Sequence, residues 1–374
     1  MLPWVVRSWV STLSVARPEL LLLAVGLVAV PALVLAGEGG LALLARGAVT
    51  DSNSSGIDRL HRYSSVYGWE PRPGRYLDEG HVITINEHGY RGPAAGPRDR
   101  SRRRVVVLGD SVAFGLYASD HETYAAALDA GDNGLEVVNL AVQGYGPAQS
   151  LIRLERLGLS LEPDVVVLGF CLANDFADAM LSTFLFDDSH PQPFFTLGAG
   201  GQLVRHDEHL RLGARKRTAL WLRDHSRLYR RLLPEPEPDG ERGSWLERRR
   251  LATQDRGATL GLVSRLVVAM RDLAASRGAT FLVLLHPDRQ TARGDRWARQ
   301  FSARLEAEGV RTLDLLKSYE ERGLDFDEVT IDGLGHLSAP GHAETAAILA
   351  EALGAAGPAP RRVSLKGTSS LPPR

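Results

Sequence analysis

Residues 104–115 read RVVVLGDSVAFG, a β-branched run that ends in a glycine, an aspartate and a serine. An unbroken apolar run followed by turn formers is typical of a buried strand in a parallel sheet. Ser111 therefore lies just past the end of a predicted strand. Because Gly, Asp and Ser are frequent in turns, this stretch alone leaves Ser111 open as a turn residue or a nucleophile.

The chain beyond this stretch alternates between strand and helix patterns. Further strands are predicted at 135–141, 164–170, 280–287 and 310–315. Helices are predicted at 121–130, 147–159, 258–276 and 292–308, and a last helix after Ser338, which can act as its N-cap. This alternation predicts an α/β fold with five parallel strands, in which sites form at the carboxyl ends of strands.

Composition narrows the class of protein. The chain has 374 residues, of which 44% are apolar and 24% charged, close to the globular average. A formal net charge of −1 gives no electrostatic case for nucleic-acid binding, so no nucleic-acid partner is expected. The single cysteine, Cys171, excludes an intramolecular disulfide and a cysteine-based zinc cluster.

The N-terminal region carries a membrane signal. The 18 residues Leu20–Gly37 hold no charge, Arg7 and Arg17 precede them, and no basic residue follows until Arg46. The positive-inside rule then predicts a cytoplasmic N-terminus and an exported body. An uncleaved signal anchor, a cleaved signal peptide ending near Ala36 and a buried core helix remain open; the first two place the body outside the cytoplasm.

The domain organisation follows from these patterns. We expect a signal anchor or transmembrane segment at 1–40, a juxtamembrane connector at 41–100 and the main domain at 101–355. An insertion of about 180–256 interrupts the βα rhythm, with helix around 210–233 and an exposed loop at 234–244. The Pro/Ser/Arg-rich tail 356–374 is predicted to be disordered.

Polar residues and glycines recur where a site should form. Gly144 follows the second strand, Asn174 follows the third, and Asp332 and His336 precede the last helix. A serine hydroxyl needs an adjacent base, which histidine supplies at neutral pH. A carboxylate holds the imidazole in the required tautomer, and backbone N–H groups with an asparagine amide stabilise an oxyanion.

These motifs together resemble those of SGNH hydrolases, also called GDSL esterases. GDS at 109–111, Gly144, Asn174 with Asp175, and His336 match the four blocks of that family in order. The stretch INEHGYRG (85–92) and the membrane signal are similar to a membrane-tethered bacterial subgroup.

The resemblance implies a flavodoxin-like three-layer α/β/α sandwich and ester chemistry without a cofactor or metal. It implies Ser111 as nucleophile, His336 as base and Asp332 as its partner. It also implies that the backbone N–H groups of Ser111 and Gly144 and the Asn174 amide form the oxyanion hole.

Two departures from the family pattern stand out. The acid usually lies three residues before the histidine, where this chain has Gly333, so Asp332 is one residue out of register. Leu172 replaces a glycine of the third block and is expected to narrow the pocket. A bulged loop, or a backbone carbonyl that orients His336, would compensate for the first departure.

Other residues compete for the same roles. His286 ends a strand and is a second candidate to line the site, whereas His342 is expected on the surface of the last helix. Asp110 is expected to shape the turn before Ser111, and Asn174 can cap the helix that begins at Asp175. The aromatic cluster Phe184, Phe186, Phe194 and Phe195 is interpreted as packing of the insertion, with a lid as the alternative.

The expected function is that of a serine esterase that acts on a small acyl ester, such as an O-acetyl group of an envelope glycan, outside the cytoplasm. An O-acyltransferase that uses the same residues, with a sugar hydroxyl in place of water, is the first alternative. A non-catalytic glycan-binding protein on the same fold is the second, since the shifted acid leaves catalysis open.

Overall fold

The computed structural model describes residues 29, 32–40, 50–51, 60–131, 133–233, 244–294 and 296–354. The chain divides into two compact units, one of 1–48 with 213–239 and one of 49–212 with 240–374. Most of the predicted signal segment, most of the loop at 234–244 and the tail lie outside the described residues. The described helices include none with the length and apolar character of a membrane span.

The first unit is helical where it is described. Residues 32–40 are helical, as are Ala214–His225 and Arg227–Leu232, which confirms the helix predicted within the insertion. The Glu38 carboxylate accepts hydrogen bonds from the Ser226 hydroxyl and from the Leu228 N–H, the latter at 3.1 Å. These bonds join the two parts of the unit that are distant in sequence.

The second unit contains all the described strands. In chain order they are β1 Thr50–Asp51, β2 His61–Ser64, β3 Gly68–Pro71, β4 Gly74–Asp78, β5 His81–Ile85, β6 Arg103–Gly109, β7 Leu135–Asn139, β8 Val165–Cys171, β9 Phe194–Leu197, β10 Leu203–His206, β11 Thr280–His286 and β12 Arg311–Asp314. Five of them form the central sheet in the order β12-β11-β8-β6-β7, with every neighbouring pair parallel. This is the doubly wound order of flavodoxin-like folds, and it confirms the predicted five-stranded parallel sheet.

Helices cover both faces of that sheet. The helices of the second unit are Ser111–Phe114, Tyr124–Asp129, Pro147–Arg156, Asp175–Asp178, Ser244–Ala252, Arg256–Ala275, Arg289–Ala292, Trp297–Ala307, Leu315–Glu321, Phe326–Val329 and Ala339–Ala352. Single turns of 3₁₀-helix lie at Asp120–Glu122, Gly158–Leu161 and Glu208–Leu210. Ser338 caps the last helix, since its hydroxyl accepts a hydrogen bond from Gly341 N–H at 3.2 Å.

Successive residues of the central strands contribute side chains to two separate hydrophobic cores. Val106 and Leu108 of β6 pack in the core formed with helices Pro147–Arg156, Arg256–Ala275 and Trp297–Ala307. Val105 and Val107 pack in the core on the opposite face of the sheet. This core also contains Leu128 of the helix Tyr124–Asp129 and Leu349 of the helix Ala339–Ala352. Because side chains alternate along a strand, a run of β-branched residues buries both faces and produces three layers.

The stretch before the sheet packs onto the same unit. Strand β1 pairs with β4 in parallel and β4 pairs with β5 in antiparallel register, while β2 and β3 form a separate hairpin. The buried Arg91 guanidinium donates to the carbonyls of Phe114, Gly115 and Ala118 at 3.0, 2.7 and 2.5 Å. Residues that precede the sheet thus hold the loop that follows Ser111.

The insertion adds a hairpin and helices. Strands β9 and β10 pair antiparallel, so no βα unit interrupts the sheet order. Phe195 is buried in the core, and Phe184 packs against that core beside Trp69. Phe186 contacts Trp245, and Phe194 stacks on His206. These contacts agree with the interpretation of the aromatic cluster as packing.

Candidate active site

Ser111 lies at the switch point of the sheet, where β6 meets β8 on one side and β7 on the other. It is the first residue of the short helix Ser111–Phe114, and the Asp110 side chain caps that helix by accepting from Val112 N–H at 2.9 Å. Gly109 has φ of +141°, and a Cβ there would lie 2.5 Å from the Gly169 carbonyl oxygen. Glycine therefore allows the chain to turn sharply against β8 and to present Ser111 at the sheet edge.

The structure brings Ser111, His336 and Asp332 into a continuous hydrogen-bonded chain. Ser111 Oγ lies 2.8 Å from His336 Nε2, and His336 Nδ1 lies 2.5 Å from Asp332 Oδ2. A carboxylate only accepts, so Nδ1 carries the proton and Nε2 is the acceptor for the serine hydroxyl. His336 is 7% exposed, which leaves its edge accessible beside the serine.

The loop before His336 absorbs the extra residue between acid and base. Asp332 Oδ1 accepts backbone N–H bonds from Leu334, Gly335 and His336 at 3.0, 3.0 and 3.2 Å. Gly335 has φ of +92°, and a Cβ there would meet the Pro287 carbonyl oxygen at 2.2 Å. The chain therefore wraps around the carboxylate, and glycine at 335 permits the left-handed turn.

Partial burial raises the pKa of Asp332, but the hydrogen bond and the electrostatic attraction of His336 lower it by more. The pKa of this carboxyl group therefore lies below its ordinary value. Asp332 is ionised at neutral pH and faces the imidazole as a fixed negative charge.

Asn174 and Gly144 lie on the neighbouring loops. Asn174 precedes the helix Asp175–Asp178, but its side chain makes no capping hydrogen bond. Its Nδ2 instead donates to Asp178 Oδ2 at 2.7 Å, which leaves the second amide proton for another acceptor. The backbone N–H groups of Ser111 and Gly144 make no hydrogen bond within the described part of the chain.

Aromatic side chains from two distant segments hold the Gly144 loop. Gly144 has φ of +78°, and a Cβ there would lie 2.9 Å from the Phe184 ring and 3.3 Å from Trp69. Trp69 Nε1 also donates to the neighbouring Gln143 carbonyl at 3.1 Å. A side chain at position 144 would displace these rings, so close packing as well as backbone conformation requires glycine here.

Three carboxyl groups are buried close to Ser111: those of Asp110, Asp175 and Asp178. Burial raises the pKa of Asp110, and burial together with the neighbouring acids raises that of Asp175 well above its ordinary value. Burial raises the pKa of Asp178 to about 7, although the hydrogen bond from Asn174 acts in the opposite direction. The pKa values of these three buried carboxyl groups are thus raised, whereas that of Asp332 is lowered.

The two competing histidines are buried and uncharged. His286 is fully buried, and burial lowers its pKa to about 3, so it acts as a core residue and does not line the surface of the site. The expectation that His342 faces the surface of the last helix is wrong. His342 is fully buried and its Nδ1 accepts from Tyr124 N–H at 3.2 Å, because that side of the helix packs on Tyr124–Asp129.

An open cavity of about 530 Å³ adjoins the site on the Asp332 side. Its lining includes Asp332, Tyr117, His81 and two further acids, Glu79 and Glu122. The Tyr117 ring stands edge-on to His336 with 5.4 Å between ring centroids. Tyr117 thus borders both the imidazole and the cavity.

The structure brings Ser111, His336 and Asp332 together, and the loop accommodates the extra spacing of Asp332. Gly144 and Asn174 lie on the loops that follow β7 and β8, and their part in an oxyanion hole stays a prediction. Sequence reasoning missed Tyr117 and Asp178. Tyr117 carries no motif of its own. Asp178 follows Asn174 by four residues, one helical turn, and that spacing was the available signal.

Comparison with known proteins found similar solved structures at low sequence identity. No family model matches the chain, and no curated protein matches it. Solved structures that are similar include TesA (15% identity, 67% of this chain and 98% of that one, TM-score 0.39). A GDSL-like lipase from Bacteroides thetaiotaomicron matches at 12% identity, over 70% of this chain and 92% of that one, with TM-score 0.39.

The psychrotrophic esterase EstA from Pseudoalteromonas sp. is a further similar structure, at 11% identity, over 67% of this chain and 97% of that one, with TM-score 0.37. The motif blocks lie at the carboxyl edge of the parallel sheet in the order that the SGNH resemblance implies, with the third after β8 and the fourth before the last helix.

Proposed function

We propose that this chain is a serine esterase of the SGNH type that works through an acyl-serine intermediate. One observation carries the proposal: Ser111, His336 and Asp332 form a hydrogen-bonded chain at 2.8 and 2.5 Å on the carboxyl edge of the sheet. That is the arrangement a weak hydroxyl nucleophile needs.

In the first step, the Ser111 oxygen attacks the carbonyl carbon of the ester while His336 Nε2 takes the hydroxyl proton. Asp332 stabilises the resulting imidazolium through Nδ1–H, and its own backbone hydrogen bonds keep the carboxylate in place. The tetrahedral intermediate expels the alcohol, which receives the proton from Nε2.

The oxyanion of that intermediate needs preorganised donors. The free N–H groups of Ser111 and Gly144 and the second amide proton of Asn174 supply them in this proposal. Asp178 acts as a positioning residue, because its oxygen binds one amide proton and so fixes the direction of the other.

Water then resolves the acyl-serine. His336 removes a proton from the water, which attacks the acyl carbon, and Ser111 leaves with that proton restored. The overall reaction converts an ester and water to an acid and an alcohol, and each step uses only residues of this chain.

The test is p-nitrophenyl acetate hydrolysis by the full chain and by Ser111→Ala and His336→Ala. We expect roughly 10⁴–10⁶-fold lower kcat in both variants. The exposed Ser276 and His88 supply matched controls, as Ser276→Ala and His88→Ala, and should keep activity. Equal turnover by the parent and the two site variants would overturn the proposal, as would failure of a fluorophosphonate to label Ser111.

The finer proposal is a small acyl ester, such as an O-acetyl group on an envelope glycan, and a site of action outside the cytoplasm. The uncharged segment Leu20–Gly37 with Arg7 and Arg17 before it supports that location. Protease added to intact cells should degrade the domain while a cytoplasmic marker survives. Protection equal to that of the marker would contradict it.

Transfer to a glycan hydroxyl uses the same first step and differs only in the acceptor. Incubation with an acetyl donor and a glycan separates the two, because a hydrolase releases acetate in proportion to donor loss and a transferase acetylates the glycan. The non-catalytic alternative predicts neither product, and the short distance between Asp332 and His336 supports catalysis over it.

A further inference from the structure

A second cavity lies at the carboxyl edge of the sheet, one strand away from the strand that leads to Ser111. It has a volume of about 430 Å³, and its lining includes Leu172, Phe176, Arg249, Arg250, Arg256 and Trp297. Leu172 directly follows β8 and stands two residues before Asn174. We call this space the basic cavity.

Its charge is positive. Three arginines line the basic cavity and none of its lining residues is acidic. Asp288 lies 3.6 Å from Arg249, and Glu247 pairs with Arg250. Arg256 makes no ion pair within the described residues, and its guanidinium lies over the Trp297 ring.

The arginines stand beside an aromatic surface. The Arg256 guanidinium lies 5.3 Å from the centre of the Trp297 ring, and Trp297 packs on Phe176 with 4.6 Å between ring centroids. Stacking on an aromatic face holds a guanidinium in place while its N–H groups remain free to bind an oxyanion. A concave site with an apolar wall and a few convergent charges is typical of small-molecule binding.

The basic cavity is linked to the site through Leu172. Arg249 Nη2 donates to the Leu172 carbonyl at 3.4 Å, and Leu172 N–H donates to the His286 carbonyl at 3.1 Å. Leu172 thus forms part of the wall between the basic cavity and the loop that holds Asn174.

We propose that the basic cavity binds an oxyanionic group of the substrate, a carboxylate or a phosphate, carried on a ring that packs against the apolar wall. This rests on the proposed esterase function and adds to it the charge of the substrate. The cavity on the Asp332 side, lined by Glu79 and Glu122, would repel the same group and so fix the orientation of the ester.

Calorimetric titration of the full chain tests binding without depending on activity. The ligands are glucuronate, glucose 6-phosphate and, as the neutral control, glucose. We expect at least one anionic sugar to bind about tenfold or more tightly than glucose. Preference for glucuronate identifies a carboxylate source, and preference for glucose 6-phosphate identifies a phosphate source. Equal affinity for all three sugars, or no binding, overturns the proposal.

Variants locate the binding. Arg256 is exposed, so Arg256→Gln should fold and should weaken binding of the anionic sugar about tenfold, with Arg256→Lys intermediate. Arg304→Gln, an exposed arginine on the helix that carries Trp297, is the matched control and should bind like the parent. Equal loss in Arg256→Gln and Arg304→Gln would mean non-specific charge attraction and would overturn the proposal.

The titration and the esterase assay of Ser111→Ala together distinguish the basic-cavity proposal from the esterase proposal. If Ser111→Ala retained esterase activity while the anionic sugar still bound through Arg256, the esterase mechanism would fail and the cavity would stand. If the sugars did not bind while Ser111→Ala lost activity, only the basic cavity would fail.

Discussion

Two kinds of carboxyl group surround Ser111, and they differ in charge because they differ in surroundings. Asp332 is partly exposed, and its two oxygens accept four hydrogen bonds, from His336 Nδ1 and from three backbone N–H groups. Asp175 and Asp178 are almost fully buried, and each has one oxygen with no hydrogen-bond partner in the described residues. The pKa of the first is lowered, and the pKa values of the others are raised.

The difference shows that residue type alone does not determine whether a carboxyl group near Ser111 is charged. A carboxyl group with many donors around it stays charged and can stabilise an imidazolium. A carboxyl group without them favours the neutral form and serves as a local hydrogen-bond partner for backbone and amide groups. Substitutions at these acids and at Asn174 test that division.

Asp332→Asn should lower kcat for p-nitrophenyl acetate by about 10⁴-fold, with little change in KM. The neutral amide no longer stabilises the imidazolium and can hold His336 in the wrong tautomer. Steady-state kinetics checks this. Asp327→Asn, an exposed acid that pairs with Arg289, is the control and should act like the parent. A loss below tenfold in Asp332→Asn would assign orientation of His336 to another group.

Asn174→Ala should lower kcat by about 10²–10³-fold, since it removes one oxyanion donor. KM should change little because the ground-state carbonyl gains less from that donor than the oxyanion does. Affinity for a phosphonate that mimics the tetrahedral intermediate should fall in parallel with kcat. A variant that lost kcat but kept phosphonate affinity would show that Asn174 is not an oxyanion donor.

Asp178→Ala should lower kcat roughly 10- to 100-fold, less than loss of Asn174 itself, because the amide remains but is no longer fixed. Asp178→Asn keeps an acceptor oxygen at the same position and should recover most of the activity. A purely structural role predicts equal activity in both variants at equal stability, which thermal unfolding measures alongside the kinetics.

Stability should depend on pH through Asp178. Its pKa is about 7 in the folded protein and near 4 in the unfolded chain, so the folded form retains a proton that the unfolded chain releases. The contribution is therefore fully present below about pH 4 and is lost as pH rises through about 7. Asp178→Asn removes this loss, so its Tm relative to the parent should be about 4–8 °C higher at pH 8 than at pH 5. An identical difference at both pH values would show that Asp178 is ionised in both states.

Much of the fold followed from local patterns. The apolar runs predicted β8 and β11 to within one residue at each end, and β6, predicted at 105–109, begins two residues earlier at Arg103. Such runs are typical of strands that are buried on both faces. The cap at Ser338 and the helix after it were predicted from side-chain chemistry alone. The site residues were predicted because parallel strands bring their carboxyl ends to one edge.

The rest depended on contacts between segments far apart in sequence. The burial of His342 comes from Tyr124, 218 residues away, and no pattern near His342 reveals that neighbour. The sequence suggests a bulged loop at Asp332 but does not give its conformation. The left-handed turn at Gly335 depends on close contact with Pro287, which is distant in sequence. Asp178 has a regular helical spacing from Asn174, yet only the structure shows that its burial changes its charge.

The Arg91 side chain limits where the domain can be truncated. Its guanidinium joins a segment ahead of the sheet to the loop behind the serine, with Asp120 as its ionic partner at 3.1 Å. The segment ahead of the sheet is thus packed into the same unit as the serine loop. A shortened version of the domain should therefore begin ahead of β2, because a cut at β6 would discard the arginine that braces the loop behind Ser111.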